Sequence, residues 1–375
     1  MRHYPTAQPR LSAVAAAAAI TIIAFLLLAG PAEARYNPRK AVWATDTING
    51  KPALPIFKQL GVGIYSIAID WSAIAKRRPK HARDPRDPAY DFWGNIGGRI
   101  DQAHRYGFRI NIEITKSPAW ANGGHPKSWA PKNPNDYADF AVAVARRYRF
   151  VHLWMVWGEP SRRVNFMPYT SAPWRATTLA PGQARGPGRY AQILDATYGA
   201  LKKLNRSNLI IGGNTYAAGD IRTDAWIRNM KLPGGKPPRM DLYGHNPFSF
   251  REPSLTDGPW GFGLRDFTDL DLVESAVNRF LARPRGKRSI KLFLAEWCVP
   301  TQKDSEFHFA VDEATQARWI RSAFRIANRR NSPIYSLGWI HMADSTSKDG
   351  KYRSRTGLYR ENGTAKPGLK AFKDG

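Results

Sequence analysis

One cysteine, Cys298, stands alone in 375 residues. No disulfide can form within the chain, so the fold rests on its core, and a chain of this length buries enough to stabilise itself. No His motif lies near Cys298, which reads as a packed core thiol and not as a nucleophile. Acids are scarce too: 30 Asp and Glu against 57 Lys and Arg give a net charge of +27. No His/Asp/Glu spacing fits a metal-ligand set. The first apolar run, AVWATDTING (41–50), carries no G-x-G-x-x-G loop, so the common dinucleotide-binding arrangement is excluded. Neither metal nor cofactor is expected. No helix-turn-helix, zinc-finger or aromatic RNA-binding pattern accompanies the basic charge, which removes nucleic acid as the expected partner.

The one long apolar run that could span a bilayer stands at the start. Arg2 and Arg10 precede LSAVAAAAAITIIAFLLLAG (11–30), and PAEA follows, with Ala32 and Ala34 flanking Glu33. This is the pattern of a secretory signal peptide cut after Ala34. The competing reading is an uncleaved anchor. Under either, residues 35–375 form a domain outside the cytoplasm, secreted or retained at the cell envelope. After cleavage no membrane span is expected, and a monomer is the default. Loss of two Arg and one Glu with residues 1–34 changes the charge from +27 to +26. For an exported domain such a surface fits an acidic polysaccharide or cell-envelope glycan, unless it is only a solvated basic face.

After residue 40, short apolar runs recur with regular punctuation. They are AVWA (41–44), GIYSIAIDW (63–71), FRINIEI (108–114), HLWMVW (152–157), LIIGGNTY (209–216), MDLYGHN (240–246), KLFLAEW (291–297) and IYSLGWIHM (334–342). Each suits a strand buried on both faces. Between them lie helix-period segments. NPNDYADFAVAVARRY places Tyr137, Phe140, Ala141, Val144 and Tyr148 on one stripe, with Asn133 or Asn135 as cap. GRYAQILDATYGALKKL, DLVESAVNRFLA, DEATQARWIRSAFRIANR, GNIGGRIDQAHRYGF and KPGLKAF read as helices in the same way. Eight strands alternating with helices in one α/β domain predict a (β/α)8 TIM barrel. An open doubly wound sheet is the competitor, and it lacks its Gly-rich loop. GPGRY, PGGKPP and ARPRGKR read as loops inside that domain.

A barrel of this kind carries its site at the C-terminal ends of its strands. Those ends supply Asp70 and Trp71, Trp120, Trp157 and Glu159, Asn214, His245 and Asn246, Glu296 and Trp297, and Trp339 and His341. Glu159 and Glu296 stand out, since each closes an apolar run beside a Trp. They end strands four and seven, which face each other across an eight-stranded ring. Two carboxyl groups so placed suit glycoside cleavage, one protonating the leaving oxygen and one attacking the anomeric carbon. Apolar surroundings would raise the acid's pKa. Asp70 is a candidate sugar-hydroxyl acceptor, or else the partner of a nearby Arg. His341 is a candidate substrate contact or a structural His. Trp71, Trp120, Trp157 and Trp297 are candidate stacking platforms, against core packing as the other reading.

VWGEP (156–160) resembles the W-N-E-P signature of the clan A glycoside hydrolases, and FLAEW (293–297) resembles their nucleophile strand. GHNPF (244–248) resembles the clan's strand-6 ending, and SPAWA, GWIHM and TGLYRENGTAKPGLKAF resemble the subset near families 39 and 5. The resemblance spans nearly all of residues 38–373. It implies a retaining (β/α)8 hydrolase with Glu159 as acid/base, Glu296 as nucleophile, His245 lining the site and Trp339 as the floor of a sugar subsite. Two positions depart from the pattern. Gly158 replaces an Asn that bonds the sugar 2-hydroxyl in the family, and Phe248 replaces a Tyr. Asn246 and Asn214 are the candidates to compensate. The departures keep open a degenerate barrel that binds glycan without cutting it, and the same two acids would also serve a transglycosylase.

Overall fold

A computed structural model of the chain describes residues 36–169, 176, 178–281, 286 and 289–375. The expected export signal over residues 1–34 lies outside them, as does most of ARPRGKR (282–288). Eight parallel strands close into a barrel: β1 Asn37–Trp43, β2 Val62–Asp70, β3 Arg109–Thr115, β4 Leu153–Val156, β5 Leu209–Tyr216, β6 Leu242–Asn246, β7 Lys291–Trp297 and β8 Ile334–Trp339. β1 pairs with β2 on one side and with β8 on the other, which closes the ring. A helix follows each strand: α1 Ala53–Gln59, α2 Arg99–Arg105, α3 Pro134–Arg147, α4 Arg185–Leu204, α5 Thr223–Asn229, α6 Leu270–Phe280, α7 Glu313–Ala327 and α8 Pro367–Asp374. The barrel expected from the alternation of runs is the one observed. α1 and α5, unforeseen in the sequence, have seven residues each, too few for a helical period to show.

Strand alternation sorts the core into two parts. Ile64, Leu153, Met155, Ile211, Leu242 and Phe293 face the barrel axis and pack on one another. Their neighbours Tyr65, Ile112, Trp154, Ile210, Tyr243 and Leu292 face outward and join Phe140, Val144, Leu194, Val277 and Ile320 from the helices. This parity fixes which residues can reach the mouth. On β2 and β6 the inward positions are even-numbered; on β3 they are odd, so Asn111 meets Ser66 inside the barrel at 3.1 Å.

The helices also grip the strand ends. Asn133 caps α3 through the Asn135 amide at 3.1 Å, with Pro134 in the first turn. From α3, the Tyr137 hydroxyl donates to the Ile114 carbonyl and accepts the Trp157 amide at 3.2 Å. From α4, the Tyr190 hydroxyl donates to the Val156 carbonyl at 2.8 Å. The chain just before Glu159 is therefore held by two buried phenols. Removing one such bond costs ~1–2 kcal/mol. Tyr137→Phe is expected to lower the unfolding free energy by that amount, seen as a lower denaturant midpoint at constant slope; an unchanged midpoint would show that the hydroxyl holds nothing.

Candidate active site

Beyond Val156 the chain turns sharply. Trp157 and Glu159 adopt left-handed backbone, with φ of 66° and 42°. Lys116 after β3 and Asn214 in β5 do the same, at 64° and 46°. Each costs ~1–2 kcal/mol for a residue with a side chain. Among the described residues the remaining non-glycine with positive φ is Asn49, in the Asn-Gly turn between Thr47–Ile48 and Lys51–Pro52. Backbone strain is thus gathered at the tips of β3, β4 and β5.

That turn delivers Glu159 into the mouth. Its Oε1 accepts from Asn246 Nδ2 at 3.0 Å, and its Oε2 from Arg162 at 2.8 Å and Asn165 Nδ2 at 3.3 Å. The Arg162 guanidinium lies 4.8 Å from the Tyr216 ring centre. Its side chain is 41% exposed, so water screens the pair with Glu159, which orients the carboxylate more than it stabilises the fold.

Glu296 in β7 is half-buried. Burial of its carboxyl pushes its pKa well above the usual carboxylate range; the charges of Glu159, Glu113 and Glu306 add to the rise, and Arg162 opposes it. Glu159 is the largest of these charge effects.

A third acid, Glu113, joins them. It faces inward from β3, one position before the inward residue at that strand's end, and is 6% exposed. Burial first, and then the charge of Glu159, push its pKa up to about 8 against the pull of Lys116. Asn214 Nδ2 donates to its Oε2 at 3.1 Å. Its other oxygen explains Gly158: a Cβ built there would lie 2.6 Å from Glu113 Oε1, closer than any stable contact. Among the described residues no three His, Cys, Asp or Glu side chains are arranged to hold a metal ion. Glu113 lies below the strand end. The signal was present in RINIEIT, where a polar residue at every second place marks one face of a strand.

The other expected residues divide. Asn246 and Asn214 are in the site. His245 is not: it faces outward, with Nδ1 2.9 Å from Thr215 Oγ1 and Nε2 2.8 Å from the Arg265 carbonyl. Burial pushes it down to about 4, so it is a neutral bracket between barrel and shell. Trp71, Trp157, Trp297 and Trp339 are all buried in the outer core. Trp339 meets Trp297 edge-on with ring centres 5.4 Å apart, so it cannot be a sugar-subsite floor. Trp120 is partly open, but the Arg78 guanidinium covers its ring at 4.6 Å. Asp70 caps Trp71–Ile74 through the Ala73 amide and pairs with Lys127 at 3.2 Å. His341 bonds Thr356 Oγ1 at 2.7 Å. Phe248 packs on Tyr216 and Phe307. Cys298 is buried. The aromatic that does reach the mouth is Trp43, at the end of β1, partly exposed and bonded through Nε1 to the Ala295 carbonyl at 3.0 Å.

No protein-family model matches the chain, and no curated protein does. Solved structures match its fold. One is a family 39 glycoside hydrolase from the gut symbiont Bacteroides cellulosilyticus WH2, with a TM-score of 0.60 and 15% identity over 90% of this chain and 63% of that one. A glucosidase from Croceicoccus marinus gives 0.60 and 13%, over 92% and 67%. A GH39 β-xylosidase from Caulobacter crescentus gives 0.56 and 16%, over 92% and 72%. The chain shares with these glycoside hydrolases a fold, the closed barrel of eight parallel strands. It spans less than two thirds of the length of the Bacteroides enzyme, and at these identities the likeness concerns fold alone.

Glu113 makes stability depend on pH in a defined direction. Its folded pKa is raised from 4.5 to about 8, so its cost is absent below pH 4.5, grows as the unfolded chain ionises, and is complete above pH 8. Glu113→Gln is expected to raise Tm by about 3–6 °C at pH 7.5 and to leave it nearly unchanged at pH 4.5. A Tm gain of the same size at both values would contradict the raised pKa.

Proposed function

We propose that the protein is an exported retaining glycoside hydrolase that cleaves O-glycosidic bonds by double displacement. The observation that carries this reading is that the Glu159 turn after β4 and Glu296 in β7 belong to one barrel and that the charge of Glu159 helps to raise the Glu296 carboxyl. Glu296 attacks the anomeric carbon as the bond to the leaving oxygen breaks, and Glu159 gives that oxygen its proton. A covalent glycosyl-enzyme results. Glu159 then takes a proton from water, and the water oxygen displaces Glu296 from the sugar.

The environment of Glu296 fits the first step if the proton moves before attack. Burial favours a proton on Glu296, whereas the nucleophile must be charged and the acid neutral. Transfer of one proton from Glu296 to Glu159 readies both at once, without changing the charge of the cluster. The positive charge that grows on the sugar ring then stabilises the bared Glu296 carboxylate. Arg162 and the basic exterior favour an acidic polysaccharide or cell-envelope glycan as the natural substrate.

The test uses 4-nitrophenyl β-xyloside, β-glucoside, β-galactoside and β-glucuronide, with the corresponding unactivated disaccharides. Glu296→Gln is expected to abolish release from every substrate. Glu159→Gln is expected to lower disaccharide hydrolysis by about 10²–10⁴-fold and nitrophenyl release far less, because nitrophenolate leaves without a proton. Full activity in both variants would sink the assignment.

A further inference from the structure

We propose that Glu113 is a substrate-binding residue: its carboxyl fills the room that Gly158 leaves and bonds a hydroxyl of the bound sugar. This rests on the glycosidase reading of the mouth and adds a third working side chain to it.

Four observations converge. Gly158 and Glu113 fit as a pair, since any side chain at 158 would collide with Oε1 at 2.6 Å. Asn214 fixes the other oxygen at 3.1 Å, while no hydrogen bond from the described residues reaches Oε1. The Oδ1 atoms of Asn214 and Asn246, the asparagines that hold Glu113 and Glu159, are buried without a donor. A ligand rich in hydroxyls is the kind that satisfies such acceptors. Finally, the mouth is open at this depth. Ala68 faces the barrel axis in register with Glu113 on the adjoining strand, and it is exposed.

The chemistry follows from shape. A carboxylic acid and a carboxamide are both planar, with one acceptor oxygen and one donor. Burial, the largest cause of its raised pKa, favours the protonated form of Glu113 at neutral pH, so it can donate where an ionised carboxylate could only accept. Above about pH 8 the proton is lost and so is the donor.

The experiment compares wild type, Glu113→Ala, Glu113→Gln and the double variant Glu113→Ala/Gly158→Asn on the four nitrophenyl glycosides, from pH 5 to 9.5, with Tm measured for each. Loss of a buried hydrogen bond to substrate is expected to lower kcat/KM about 100-fold in Glu113→Ala, whereas Glu113→Gln, which keeps donor and acceptor, loses about threefold. Glu113→Gln is also expected to lose the fall in kcat/KM above pH 8. The double variant, with an amide in the same space, is expected to recover about tenfold over Glu113→Ala. Equal losses in Glu113→Ala and Glu113→Gln, with neither variant melting below wild type, would overturn the proposal, as would wild-type activity in Glu113→Ala. If wild type cleaves none of the glycosides, the hydrolase reading fails, and binding of the same compounds judges Glu113 separately. Affinity lost in Glu113→Ala and kept in Glu113→Gln supports the role. Equal affinity in all forms, or no binding by wild type, overturns it.

Discussion

Burying carboxyl groups in an apolar barrel is the constraint on which the mouth depends. The charge of Glu159 helps to raise both Glu113 and Glu296, and that of Glu113 adds to the rise at Glu296. Separate devices keep the cluster in place. Arg162, Asn165 and Asn246 donate to Glu159, and Asn214 donates to Glu113. Protons neutralise what the donors do not reach. A site of this kind titrates as a unit, and its charge is redistributed at little cost when substrate arrives.

Space is arranged as tightly as charge. The absence of a side chain at 158 reads in the sequence as a loss. In the structure it is one half of a fit whose other half is the Glu113 carboxyl on the adjoining strand. Left-handed backbone at Lys116, Trp157, Glu159 and Asn214 turns the strand tips so that these groups converge. A non-glycine at such angles persists only where its surroundings over-determine it. Here they do: Tyr137 and Tyr190 hold the carbonyls of Ile114 and Val156 from outside the ring.

The barrel was legible in the sequence because eight buried strands leave eight unmistakable apolar runs, and their order needs no long-range information. The site was legible only in part. Reading strand ends picks out Glu159, Glu296 and Asn246 as candidates, and the structure has Asn246 donating to Glu159. His245, Trp71 and Trp339 could not be placed without strand parity, since a shift of one residue exchanges the mouth for the helical shell. His245 and Asn246 are neighbours in β6, yet one faces the shell and the other Glu159. Glu113 escaped for the opposite reason. It sits below the strand end, where only the alternation of polar residues within RINIEIT marks an inward face. The meaning of Gly158 was out of reach, because it depends on a contact between residues 45 positions apart.

The arrangement also explains why so much tryptophan lies near the mouth without lining it. Trp71, Trp157, Trp297 and Trp339 form the wall behind the site, packed against Tyr137, Phe166, Phe267 and Phe372. Each buried indole contributes several kcal/mol of stability. That sum offsets left-handed residues at ~1–2 kcal/mol each and carboxyls that are neutral only because they are buried. The wall does a second thing. By excluding water behind the strand tips it lowers the local dielectric, which strengthens the field of every charge in the mouth and raises the pKa values of Glu113 and Glu296. The same aromatic packing therefore stabilises the barrel and sets the protonation on which the chemistry at its mouth depends.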